Sequence, residues 1–108
     1  MSSNALFVYV TCPDMDVAKT IVRGIVEKRL AACANILPNM TSFYWWDEKV
    51  QEADEVVVIF KTTKDSWPEL CEALKAVHPY EVPCIVALPI ESGYEPYLTW
   101  IGAETLPV

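Results

Sequence analysis

The stretch His78-Pro79-Tyr80-Glu81-Val82-Pro83 constrains this chain more than any other, because two prolines within six residues leave the backbone few conformations. A residue before proline is kept out of the α region, so a helix arriving from the N-terminal side has to end at His78. Pro83 then delivers the chain extended into Cys84-Ile85-Val86-Ala87-Leu88. The corner is a stiff helix-to-strand junction that carries the only histidine and one carboxylate, Glu81. Its imidazole has two readings. It is a candidate metal ligand or proton carrier, or it terminates the helix with its ring satisfied by the negative helix end.

Around this corner the hydrophobic pattern sets out the remaining elements. Ala5 to Thr11 is β-branched and aromatic and reads as a central strand covered on both faces, stopped at Cys12-Pro13-Asp14. Asp14 or Asp16 caps a helix over Met15 to Leu30, where Ala18, Ile21, Val22, Ile25, Val26 and Leu30 recur on one face. Ala31 to Leu37 reads as a strand that Pro38-Asn39 breaks or bends. Met40 to Trp46 resumes extended, Asp47-Glu48-Lys49 turns the chain, and Val50 to Thr63 returns, making an unusually long hairpin. Ser66-Trp67-Pro68-Glu69 has the capping-box arrangement and opens a second helix, with Trp67, Leu70, Cys71, Leu74 and Val77 as its buried face. The fourth strand spans Cys84 to Ile90, and a short helix from Glu95 to Gly102 precedes a tail ending in Pro107. The order is β-α-β-β-α-β, which predicts an α+β, ferredoxin-like sandwich over residues 1–108 as one domain, extended by the long hairpin between the second and third strands and a C-terminal helix.

Composition narrows the function classes. The 53% hydrophobic content, with four Trp and five Tyr, exceeds what a small monomer readily buries and predicts self-association. A formal charge of −7 with two arginines, Arg23 and Arg29, provides no basic patch, so neither nucleic acid nor a membrane surface is an expected partner. No apolar run reaches spanning length, and Met1-Ser2-Ser3-Asn4 lacks the start of a signal peptide, so a cytoplasmic location is expected. Cys33, Cys71 and Cys84 lie in apolar patterns and read as buried free thiols, whereas Cys12 stands apart at a strand end beside Pro13. No Cys-x-x-Cys is present.

Enzymatic machinery is hard to find. The three glycines are scattered, no phosphate loop or nucleophile elbow occurs, and a second histidine is missing. Asp47-Glu48 and Asp54-Glu55 are adjacent carboxylates whose side chains diverge, and they read as solvated charges rather than an acid–base pair. Soft-metal ligation through Cys12, His78 and Glu81 is the remaining chemistry. Trp45-Trp46 points elsewhere. Adjacent strand residues face opposite sides, so a hairpin tip beyond its own helices leaves at least one indole bare or against another chain.

The stretches Ala31-Ala32-Cys33-Ala34-Asn35-Ile36, Thr41-Ser42-Phe43-Tyr44-Trp45-Trp46, Lys61-Thr62, the His78–Pro83 corner, Ala87-Leu88-Pro89-Ile90 and Tyr97-Leu98-Thr99-Trp100 together resemble the CutA divalent-cation tolerance proteins across the chain. The resemblance implies a ferredoxin-like protomer in a tight homotrimer similar to PII signalling proteins, with bacterial members tied to copper tolerance and mammalian relatives to acetylcholinesterase anchoring. Copper binding in the family is associated with a cysteine in strand 1 and a histidine pair before Pro-Tyr. Here His78 matches the second histidine, Val77 stands at the first, and Val10 occupies the strand position with Cys12 two residues later. The resulting expectation is a non-enzymatic trimer in divalent-metal response. It would bind Cu(II) or another divalent ion weakly near His78, Cys12 and Glu81, with no obligatory cofactor, and Tyr44, Trp45, Trp46, Tyr80 and Lys61 would lie at the subunit boundary. A PII-like small-molecule sensor and a purely structural trimeric scaffold are the alternatives.

Overall fold

A computed structural model of the chain describes residues 4–106, so the readings of the Met1-Ser2-Ser3 start and the Pro107 tail lie outside the described residues. Seven elements follow in order: β1 (Ala5–Cys12), α1 (Met15–Glu27), β2 (Cys33–Trp46), β3 (Lys49–Thr63), α2 (Trp67–Val77), β4 (Ile85–Pro89) and α3 (Glu95–Glu104). The strands form one antiparallel sheet in the order β2-β3-β1-β4. This is the ferredoxin-like arrangement with its two additions, as the element order predicts.

Strand alternation decides which side chains make the core. Leu6, Val8, Val10 and Cys12 of β1 and Val56, Val58 and Phe60 of β3 point to one face, where Ala18, Ile21 and Ile25 of α1 and Leu70 and Leu74 of α2 close over them. Fully burying each of the larger side chains stabilises the fold by about 1.5–3 kcal/mol. The opposite face carries Phe7, Tyr9, Val57, Ile59, Val86 and Leu88; α3 covers its Ala5 and Thr63 end, and Val57, near the other end, is also buried. Val86 and Leu88 remain 48% exposed on this face.

Several boundaries differ from the sequence reading, each for a local reason. Helix α1 ends at Glu27 rather than Leu30, because Arg29 turns left-handed (φ 60°). The Leu30 amide then reaches back to the Ile25 carbonyl and the Arg29 amide to Val26, a Schellman stop built without glycine. Leu30 still enters the core, so the apolar period runs past the helix itself. At the other end Asp14 Oδ1 accepts the Val17 amide at 2.9 Å, so Asp14 is the N-cap and Asp16 lies in the first turn. The capping box expected at Ser66-Glu69 is not made. Ser66 forms no side-chain cap, and its hydroxyl donates instead to the Leu106 carbonyl. Val77, assigned to the buried face of α2, is exposed, as it lies at the helix end past the core.

Pro38-Asn39 bends β2 without breaking it: between the pairs Leu37↔Val57 and Met40↔Glu55 the strand accommodates both residues opposite Val56, with Asn39 left-handed (φ 64°). The tip turns through Asp47 and Glu48, both at positive φ (53° and 60°). Pairing with β1 stops at Val56, so Met40–Trp46 and Lys49–Glu55 form a free two-stranded arm. With the arm, the chain measures 44 × 25 × 22 Å.

Candidate functional site

His78 ends α2 in an extended conformation (φ −76°, ψ 136°), as the following proline requires. The turn carries its ring under the end of β1, where it is 8% exposed. Nε2 lies 2.7 Å from the Thr11 carbonyl oxygen, and the Tyr80 amide donates to Nδ1 at 3.1 Å. A carbonyl only accepts, so Nε2 carries the hydrogen and Nδ1 is the acceptor: the imidazole is neutral with both nitrogens committed to backbone. The Tyr80 ring packs 4.8 Å from it, tilted by 55°.

Tyr80 continues the network. Its hydroxyl donates to Glu55 Oε2 at 2.7 Å, and burial, then the bond to Glu55, pushes the phenol well above its ordinary range. Glu55 is itself only 8% exposed. Its carboxylate reading as a solvated charge therefore needs correction: Asp54 faces solvent, but Glu55 is turned inward where β3 meets the corner. The one sequence signal was its place directly before the apolar run Val56–Phe60.

The cysteine assignments also invert. Cys12 is fully buried because it continues the Leu6-Val8-Val10 row of β1. Its thiol is pushed up to about 11 by burial, then by the charges of Glu55 and Asp14. Cys33 and Cys71 are half-buried, and Cys84, which precedes β4 in the corner loop, is exposed. Burial, then Glu55, still raises the Cys84 thiol. All four are unbridged.

The expected metal donors thus do not form a chelate. His78 is adjacent to Cys12 through Thr11, but its ring offers no free lone pair, the Cys12 thiol is protonated in the core, and Glu81 faces solvent. Among the described residues no group of three His, Cys, Asp or Glu side chains converges. The residues expected at a boundary separate into three places, with Tyr80 in the corner against Glu55. Tyr44, Trp45 and Trp46 stand on the arm, with Trp45 74% exposed. Lys61 lies ten positions along β3 from Gln51, the partner of Tyr44, roughly 33 Å away. It is flanked by Phe7 and Cys33, and its ammonium donates to Asn35 Oδ1.

Comparison with known proteins places this geometry. The family model described as CutA1 divalent ion tolerance protein matches residues 6–104. Protein CutA of Mus musculus is 50% identical over 97 residues, covering 90% of this chain and 55% of the mouse protein. The divalent-cation tolerance protein CutA of Thermus thermophilus is 49% identical over 98 residues, covering 91% of this chain and 95% of that one. The chain therefore spans about half the length of the mouse relative and nearly all of the bacterial one. CutA1 from Oryza sativa superposes with a TM-score of 0.94 at 39% identity, over 99% of this chain and 98% of that chain. The structure described as the periplasmic divalent cation tolerance protein CutA from Archaeoglobus fulgidus gives 0.89 at 41%, over 93% and 97%. Agreement in sequence and in fold over nearly the whole described length means that the chain belongs to the CutA1 divalent ion tolerance family.

Proposed function

We propose that the chain works as a non-enzymatic, cytoplasmic homotrimer in the response to divalent cations, Cu(II) among them. The observation that carries this reading is the apolar surface one protomer leaves bare. Phe43, Trp45 and Val50 stand on one side of the arm, Tyr44 and Trp46 on the other, and the half-exposed Val86 and Leu88 on the sheet face away from α1 and α2. Among the described residues the sheet also keeps two free edges, β2 and β4, and the arm adds a third along Lys49–Glu55. Edge-to-edge association about a threefold axis would pair those edges and bury the aromatics. Each aromatic so buried would contribute on the order of 2 kcal/mol.

The names of the relatives support the cation role. Weak Cu(II) association is the form the corner favours, since an ion can take the His78 ring only by displacing one of its backbone bonds. The absence of an enzymatic role is supported by the same lock, and by a Cys12 thiol held protonated rather than activated. Four unbridged thiols suit a reducing compartment. Light scattering on the purified protein tests the assembly: about three chain masses are expected at micromolar concentration, with Trp45→Ala plus Trp46→Ala shifting the population toward smaller or aggregated species. A monomeric wild type, or a double variant that stays trimeric with unchanged thermal stability, would sink the reading.

A further inference from the structure

The arm joins the body of the protomer at one place, and its root carries more polar structure than a simple strand crossing needs. The bulge at Pro38-Asn39 interrupts the β2-β3 ladder opposite Val56, and the next pair is Met40↔Glu55. A bulge loosens a ladder locally and lets it bend, so backbone pairing alone does not set the direction of the arm. Glu55 is also the first residue of β3 beyond the reach of β1. Burying its carboxylate there is unfavourable unless a donor meets it, and the donor is the Tyr80 hydroxyl at 2.7 Å. Tyr80 is held in turn by its amide on His78 Nδ1, and His78 by Nε2–H on the Thr11 carbonyl. An unbroken chain of contacts runs from the end of β1, through the proline-stiffened corner, to the root of the arm.

We propose that Tyr80 and Glu55 form a latch that sets the angle of the hairpin arm and couples it to the His78 corner. The corner is the rigid anchor, the bulge is the hinge, and the hydroxyl–carboxylate bond is the catch. Displacing the corner releases the arm. The consequence for assembly rests on the trimer reading above, whereas the latch itself is a property of one protomer.

Hydrogen exchange by mass spectrometry, run beside light scattering on the same full-length samples, separates the two. Tyr80→Phe removes only the hydroxyl. Amides over 41–53 should then exchange about tenfold faster, while those of β1 and α2 keep their rates and trimers dissociate faster. Glu55→Gln retains an acceptor and should recover most of the protection; Glu55→Met should not. Arm exchange in Tyr80→Phe within about twofold of wild type would overturn the latch, as would Glu55→Gln behaving like Glu55→Met. A monomeric wild type would overturn the trimer reading, and the exchange comparison would still decide the latch.

Discussion

Replacing His78 by alanine should be among the costliest single changes in this protein. The side chain makes two hydrogen bonds to backbone groups, at 2.7 Å to the Thr11 carbonyl and 3.1 Å from the Tyr80 amide. At about 1 kcal/mol net each, these contribute roughly 2 kcal/mol. Loss of the buried ring adds about 1.5 kcal/mol. The total, about 3–4 kcal/mol, is a large part of the 5–15 kcal/mol typical of a folded domain. Urea unfolding at one fixed protein concentration, to keep any assembly term constant, reads it directly. His78→Asn provides the control. Its side-chain oxygen can accept the amide two residues on, as in an Asx-turn, but cannot reach Thr11, so it should recover about half of the loss. A cost for His78→Ala below about 1 kcal/mol, or an Asn variant no better than Ala, would show that the corner is not held as its hydrogen bonds imply.

Three further outcomes are expected. In calorimetric titration with Cu(II), binding should be weak; His78→Ala should reduce it more than Cys12→Ser, whose thiol is buried and protonated, and the reverse order would refute that ranking. Because the folded Cys12 thiol is raised from 9.0 to about 11, the unfolded chain releases this proton first. Its contribution to stability is therefore complete below about pH 9 and lost as pH rises toward 11, a decline that Cys12→Ala should flatten in a series of melts. At the hairpin tip, Asp47→Asn with Glu48→Gly puts residues suited to left-handed backbone where φ is 53° and 60°. It should raise stability by about 1–2 kcal/mol in the same urea assay, and a loss would mean the acidic pair is held by something besides the turn.

The parts of the fold legible in the sequence are those governed by near neighbours along the chain. The spacing Ala18-Ile21-Ile25 specifies a buried helical face, and Pro79 removes His78 from the helix, because the rules concerned act over a few residues. Even there the period misleads when a turn preserves it. Leu30 stays in phase with α1 after the Schellman stop, so its apolar character conceals the helix end. Ser66 and Glu69 stand at capping-box spacing, yet the hydroxyl donates to the Leu106 carbonyl, forty residues away.

The site lay further from sequence reasoning, because its chemistry depends on register and on where a strand runs out of partners. His78 was recognisable as the one imidazole at a stiff corner; that both its nitrogens are taken by backbone follows only from bringing Thr11 beneath it. Asp54 and Glu55 look alike as neighbouring carboxylates, and strand alternation separates them into one exposed and one buried. Which one turns inward was set by the end of β1 pairing at Val56 and by a tyrosine 25 residues later. The cysteines follow the same logic: Cys12 is buried by the parity of its strand, and Cys84 is exposed because it falls just outside β4. By itself the sequence determined the order of elements, the corner and the length of the arm, all of which rest on local backbone preference and side-chain period. Only tertiary structure decided which polar groups would be buried together, since burial and hydrogen bonding belong to pairs of residues that the chain has first to bring into contact.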